Sequence, residues 1–509
     1  MVGSASGKTD HIKTDKINPI KSDKAFLYIN AGVFLLLFIY LFIAAGWKDF
    51  WYDEVALIGY IRSDLTLGDV LHYYQTIEAT NTPLYAVIVY GFYHLFPPEN
   101  IWILLPGILM MLFGVWKLVQ LIDRTLGRNA AYAALIMCVS STTIINRIAL
   151  ELRAYSLLFA ASVLTIDCLL RLKDNVNGKN LFLTSLSMVI LAYSHYFGVL
   201  YLLVLGAEIF IFMIFKKKDS RLMLPFIVAA FAFLPWFFVT MHVTKIDTST
   251  FWIQPPGLLN LPETIGYLLG GSYLLCILYG VGFLWILYTI VHTGKWQQTD
   301  SAVADRFNLI LYVLTGPIVM AAVFLYSRWI NPGGGLYENR YFIVILPCIL
   351  ITASYGMNQI METGNEKMKK VFTVSGIIFL IIVCVLGGRR SLSDSKEQYA
   401  RYSHSAGQII ENGDIGDSDV LLICASYDDV GYAVLEGWYD YYLLRRGYAA
   451  ANILMTGDGS LDRILSDMDS YRKIYVVGDT DHITYEGEEY IITQQEEFYK
   501  FTVLERQYY

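Results

Sequence analysis

The sequence predicts a mainly α-helical membrane protein: a polytopic transmembrane bundle of about eleven spans, a long first outer loop carrying juxtamembrane helices, and a small C-terminal α/β domain. Three observations predict it. Of the 509 residues, 55% are hydrophobic and 16% charged, with a mean hydropathy of +0.46, far from a soluble globular average. The apolar residues fall in runs of roughly 20, the length that crosses the hydrocarbon core as a helix. That character stops near residue 388, and residues 389–509 carry 22 acidic against 11 basic side chains, a net of −11 that leaves +4 on the rest.

A polar tail, residues 1–24, carries Lys8, Lys13, Lys16, Lys21 and Lys24. The run after it, Ala25 to Trp47, is longer than the core of a cleaved signal peptide and reads as a retained first span. The spans expected are 25–46, 101–123, 129–147, 152–171, 180–197, 199–215, 222–242, 264–291, 307–326, 340–358 and 371–388. The segment 83–96 is apolar but short, which suits a surface or re-entrant helix. Loop charge supports that choice. If 83–96 does not cross, one set of loops holds 14 basic residues, among them Arg124, Arg128, Arg171, Lys173, Lys179, Arg221 and Arg306. The opposite loops before the last span then hold only Lys48, Arg62, Arg147, Arg153, Lys245, Arg328 and Arg340. The positive-inside rule puts the first set in the cytoplasm with the N-terminus. The protein is therefore expected to be multi-pass in the cytoplasmic membrane, with the first loop and the C-terminal domain outside.

Three domains follow: the tail 1–24, a membrane domain 25–388 with its first outer loop at 47–100, and the acidic outer domain 389–509. A loop that long is usually functional. It includes an amphipathic helix near 54–62. In the outer domain, strands are expected at Asp419–Ala425, Lys473–Val477, Glu489–Thr493 and Lys500–Leu504, with helices at Val430–Arg445 and Ser460–Met468. Gly457-Asp458-Gly459 is a turn, since the spacing of a phosphate-binding glycine loop is missing. Such an acidic domain repels nucleic acid, so none is expected as a partner. The six cysteines, Cys138, Cys168, Cys276, Cys348, Cys384 and Cys424, show no CxxC spacing and read as small core residues.

Four polar clusters fall at the outer ends of spans: Trp51-Tyr52-Asp53-Glu54, Glu151-Leu152-Arg153-Ala154-Tyr155, Ser194-His195-Tyr196 and Glu338-Asn339-Arg340-Tyr341. Ionisable groups at that depth pair or line a cavity, so four sets at one level predict one polar chamber. Acids beside arginines and a histidine suit an anionic phosphate leaving group and a hydroxyl that must lose its proton. Trp51 and Tyr52 offer flat amphipathic faces of the kind that pack on sugars. Adjacent carboxylates point differently along a helix, so Asp53-Glu54 alone does not chelate a divalent ion, and no metal or other cofactor is called for.

Taken in order, the acid pair after the first span, Asn81-Thr82-Pro83-Leu84-Tyr85, Glu151-x-Arg153-x-Tyr155-Ser156-Leu157, Ser194-His195-Tyr196-Phe197-Gly198 and Arg340-Tyr341-Phe342 with Pro347 resemble the GT-C type membrane glycosyltransferases. The likeness is to the bacterial branch related to protein mannosyltransferases and aminoarabinose transferases, over roughly residues 25–360. The resemblance implies transfer of a sugar from a polyprenyl-phosphate donor to an acceptor hydroxyl, with inversion. It implies a catalytic set of Asp53 as general base, Glu54 assisting it or binding the acceptor, and Glu151 as a second acid of the chamber. Arg153, His195 and Arg340 would contact the donor phosphate. Trp51, Tyr52, Asn81, Tyr155, Tyr196, Glu338 and Tyr341 would line the substrate site. Two positions depart from the pattern: His195 stands where some relatives have lysine, and Asn81 where others have a charged residue.

Plainer readings stand beside these. Asp53 suits an N-cap, Glu151 and Arg153 would neutralise each other at a helix end, and His195 suits an interfacial histidine. Two other functions fit a many-spanning protein, a transporter or flippase for a lipid-linked sugar and a membrane-anchored binding protein. A transporter, however, places its charges near the midplane rather than at one face. The acceptor is left open among a lipid, a glycan, a cell-wall polymer and a protein.

Overall fold

The computed structural model describes residues 24–78, 81–216, 219–243, 253–292, 306–331, 336–363, 401–411, 415–424, 429–448, 452–456, 471–478, 490–496 and 501–507. Among them, eight helices are long and apolar enough to cross a membrane, or nine if one bent pair counts as a span. The protein is thus an integral membrane protein with a helical bundle. The eleventh expected span, 371–388, the boundary at 389, the helix 460–468 and the turn 457–459 lie outside the described residues.

The chain enters the bundle through α1 (Lys24–Trp47) and leaves it for three short helices, α2 (Tyr52–Tyr60), α3 (Leu67–Thr76) and α4 (Leu84–Leu95). At 12 residues α4 reaches about 18 Å, too short to cross, and it buries Tyr85, Ala86, Val89 and Tyr93. Then come α5 (Asn100–Leu126) and α6 (Arg128–Ser140). The run expected as the span 129–147 is broken: α6 stops at Ser140, and a π-helical segment, Thr143–Ala149, leaves at 67°. At the break, the hydroxyls of Thr142 and Thr143 bond to the carbonyls of Gly270 and Tyr267. Such π segments collect at functional sites, and this one delivers the loop with Glu151 and Arg153.

The bundle continues through α7 (Tyr155–Asp174), α8 (Gly178–Ala192), α9 (Tyr196–Lys216) and α10 (Leu224–Val243). The expected span 264–291 is corrected to two helices, α11 (Asn260–Leu268) and α12 (Tyr273–His292). Gly270 and Gly271 separate them at φ +71° and +74°, a left-handed turn that side chains with a Cβ resist. Next are α13 (Arg306–Leu325), a 3-10 segment (Asn339–Ile345) and α14 (Leu346–Thr363). Hydropathy averages over a run and does not register such turns.

The C-terminal domain contains α15 (Arg401–Glu411), β1 (Asp419–Cys424), α16 (Asp429–Tyr442), β2 (Ile453–Thr456), β3 (Lys473–Gly478), β4 (Tyr490–Glu496) and β5 (Phe501–Arg506). The sheet order is β2-β1-β3-β5-β4. Strand β1 runs parallel to β2 and β3, whereas β5 runs antiparallel to β3 and β4. Short β2 was not among the expected strands. Successive side chains face opposite ways along a strand. Leu421, Ile423, Tyr475, Val477 and Val503 accordingly join the core that runs into the membrane domain, while Val420, Leu422, Ile474, Val476 and Leu504 form a second core on the other face.

Helix α16 lies directly on α2, and glycines make the crossing possible. A Cβ on Gly59 would strike the Ala433 backbone, and one on Gly437 would strike Val55. The C-terminal domain therefore rests on the helix that starts beside Asp53.

Candidate active site

Trp51 is the N-cap of α2, and the N–H of Trp51 donates to Glu54 at 3.0 Å. The capping role considered for Asp53 belongs to Glu54, at the third helical position, reaching back as in half of a capping box. Glu54 has no exposed surface. Both its oxygens lie 2.6 Å from Lys48 Nζ, and one also accepts the Leu152 N–H at 2.5 Å. Burial pushes its carboxyl above the ordinary range, Lys48 pulls against burial, and Glu151 adds to it. Its carboxylate ties the loop Glu151–Ala154 to the start of α2.

Asp53, one residue earlier, points elsewhere, since neighbours on a helix are about 100° apart. Its side chain is 25% exposed. The nearest cations are Arg153 at 3.6 Å and Arg340 at 3.9 Å, both on Oδ2. These are ion-pair separations longer than hydrogen bonds. Arg340 also lies 3.7 Å from Glu338, 5.3 Å over the Trp51 ring and 6.0 Å from the Tyr341 ring. The neutralisation considered for Glu151 and Arg153 does not occur: Glu151 pairs with Arg147 at 3.2 Å, while Arg153 turns to Asp53.

His195 follows α8 and stands 5.1 Å from the Tyr341 ring and 6.4 Å from that of Tyr155. Its Nδ1 accepts the Phe197 N–H at 3.1 Å, which leaves Nε2 to carry the proton. Burial, then Arg153 and Arg340, lowers its pKa to about 3. His195 is therefore neutral at ordinary pH. A neutral ring can still offer a phosphate a hydrogen bond.

All four clusters meet around Asp53 and Arg340. Some expected members do not turn to that centre. Tyr196 shares its hydroxyl with Thr240 at 2.6 Å and accepts from Trp236 at 3.1 Å, and Asn81 donates to Glu78. Glu78 went unnoticed in the sequence. It accepts from Tyr60 at 3.0 Å and lies within electrostatic reach of Arg153. Asp49 was also missed. It is buried and accepts from the backbones of Phe50 (2.9 Å) and Ser403 (3.0 Å), the Ser403 hydroxyl (2.7 Å) and Tyr442. Only its place two residues before Trp51 could have drawn attention. Among the described residues there is no group of three or more His, Cys, Asp or Glu able to hold a metal ion.

No protein-family model matches the chain, and no curated protein matches its sequence. Solved structures do match. The crystal structure of ArnT from Cupriavidus metallidurans in the apo state aligns with a TM-score of 0.57 at 12% identity, over 94% of this chain and 98% of that one. The fold is that of ArnT. A structure of ArnT from the same organism bound to undecaprenyl phosphate aligns with a TM-score of 0.56, again at 12% identity, over 95% and 98%. The ArnT likeness thus spans the membrane bundle and the C-terminal domain together. At this identity ArnT informs the fold, and the side chains of this site must be argued from their own geometry.

Proposed function

We propose that the protein is an inverting glycosyltransferase, moving a sugar from a polyprenyl-phosphate donor to an acceptor hydroxyl at the outer face of the cytoplasmic membrane. One observation carries the reading: a partly exposed carboxylate, Asp53, stands 3.6 Å from the Arg153 guanidinium and 3.9 Å from that of Arg340, which puts an acid and two cations at one place. Displacing a phosphate from an anomeric carbon builds an oxocarbenium-like transition state. It needs a base on the attacking hydroxyl and positive charge on the departing phosphate. Asp53 takes the hydroxyl proton, the oxygen attacks the anomeric carbon from the face opposite the phosphate, and the C–O bond to phosphate breaks with its electrons. Arg153 and Arg340 hold the phosphate dianion, and His195 Nε2 adds a neutral hydrogen bond. No general acid is required, because the phosphate leaves as a weakly basic anion. Glu54 acts on the reaction only by holding the Arg153 loop against α2.

The ArnT structure with undecaprenyl phosphate supports a carrier of that class, and the loop charges support the outer face. Purified protein in nanodiscs, given undecaprenyl-phosphate-linked sugars and a crude envelope acceptor fraction, is expected to release undecaprenyl phosphate and invert the anomeric centre. Full turnover after Asp53→Asn would defeat the mechanism.

A further inference from the structure

Three polar atoms near Arg340 are buried without a protein hydrogen-bond partner among the described residues: Trp51 Nε1, Glu151 Oε1 and the Tyr155 hydroxyl. Leaving such groups unsatisfied is costly and uncommon, so a cluster of them calls for an occupant. They share a neighbourhood. Arg340 covers the Trp51 ring, and both Glu151 and Tyr155 lie within electrostatic reach of Arg340. Glu151 and Tyr155 are each 2% exposed, and Arg147 anchors the other Glu151 oxygen at 3.2 Å, so the free oxygen is held in place.

We propose that Trp51 Nε1, Glu151 Oε1 and the Tyr155 hydroxyl read the ring hydroxyls of the donor sugar. The indole only donates, the carboxylate oxygen accepts, and the phenol does both. Neighbouring sugar hydroxyls, each able to donate and accept, satisfy all three. A phosphate serves only the donors and is repelled by Glu151, and a prenyl chain serves none. The inference rests on the reading that Arg153 and Arg340 hold the carrier phosphate, because the sugar is bonded to that phosphate and must lie beside the same guanidiniums. It gives Glu151, which the proposed mechanism leaves unused, a part in recognition. A site built to bond a hydroxyl rejects analogues lacking it, so these atoms would set which sugar is accepted.

The test uses the full-length protein in nanodiscs, with bare undecaprenyl phosphate and a panel of undecaprenyl-phosphate-linked hexoses and pentoses as probes. In the unsubstituted protein at least one linked sugar should bind about tenfold tighter than the bare carrier. Tyr155→Phe and Trp51→Phe should each remove most of that gain while leaving the bare carrier within about twofold. Tyr155→Phe should also leave the ligand-free Tm unchanged or raised, since it deletes an unpartnered hydroxyl; a merely structural tyrosine would lower it. If the bare carrier binds but no sugar adds affinity, or the gain survives both substitutions, the recognition set is overturned and the carrier site stands. If the bare carrier does not bind the unsubstituted protein, the carrier reading falls and takes this inference with it.

Discussion

Asp53 and Glu54 are chain neighbours that belong to two differently built regions. Glu54 and nearby Asp49 lie in a seam where α1, α2 and the C-terminal domain meet, and the donors on them stand at 2.5–3.0 Å wherever a distance is given. Asp53 lies in the chamber, where its cations stand at 3.6 and 3.9 Å and where Trp51 Nε1, Glu151 Oε1 and the Tyr155 hydroxyl have no hydrogen-bond partner among the described residues. The seam shows how a charge is buried for architecture: every lone pair is matched, because an uncompensated buried charge is severe. The chamber shows the opposite economy. Asp53 is partly exposed and stands from its cations at ion-pair separations longer than hydrogen bonds. The proposal that Asp53, not Glu54, does the chemistry rests on this contrast.

The comparison can be broken most forcefully at the seam. Lys48→Met leaves Glu54 buried without its cation and should cost roughly 3–5 kcal/mol of stability, read as a large fall in Tm of the solubilised protein. Gly59→Ala, which drives a methyl into the Ala433 backbone at the α2–α16 crossing, should cost about 1–3 kcal/mol. It should also slow transfer, because α2 is the support of Asp53. On the chamber side the effects shift from stability to ligand and pH. His195 has a folded pKa of about 3, below its ordinary value, so the unfolded chain binds a proton that the folded one refuses. Stability contributed by the neutral ring is present above pH ~6.5 and declines as pH falls toward 3. At pH 5 the parent protein should have lost about 2 kcal/mol more than His195→Gln, measured by chemical denaturation at pH 7 and pH 5. The smallest effect is expected from Arg340→Gln: undecaprenyl phosphate should bind about tenfold more weakly, some 1.4 kcal/mol, with Tm little changed.

Much of this arrangement is legible in the sequence, for reasons that also mark where legibility stops. Long apolar runs and loop charges are one-dimensional signals, so α1, α5, α7, α9 and the surface helix α4 could be anticipated. Short continuous apolar runs exposed β1 and β3 as buried strands, but four-residue β2 is too short to stand out as one. The breaks at 141–142 and Gly270–Gly271 went unseen because Ser140-Ser141-Thr142-Thr143 and Gly270-Gly271 are short interruptions that a hydropathy average over a long run absorbs. Within the site, Asp53, Arg153 and Arg340 could be named from the polar clusters, but the division of labour between Asp53 and Glu54 could not. It depends on Lys48 and the Leu152 N–H, contacts that only the fold creates. The neutral state of the His195 ring could not be read either, since it follows from burial and from two guanidiniums that come from distant segments.

The most direct test of the division between the adjacent acids is a paired measurement of Tm and sugar transfer on Asp53→Asn and Glu54→Gln. Asp53→Asn should keep the parent Tm and lose about 10²–10⁴-fold in turnover, the range of a lost general base. Glu54→Gln should lower Tm sharply, with what transfer survives limited by the fraction folded. The reverse pattern, a destabilised Asp53→Asn and a stable but inactive Glu54→Gln, would contradict the account.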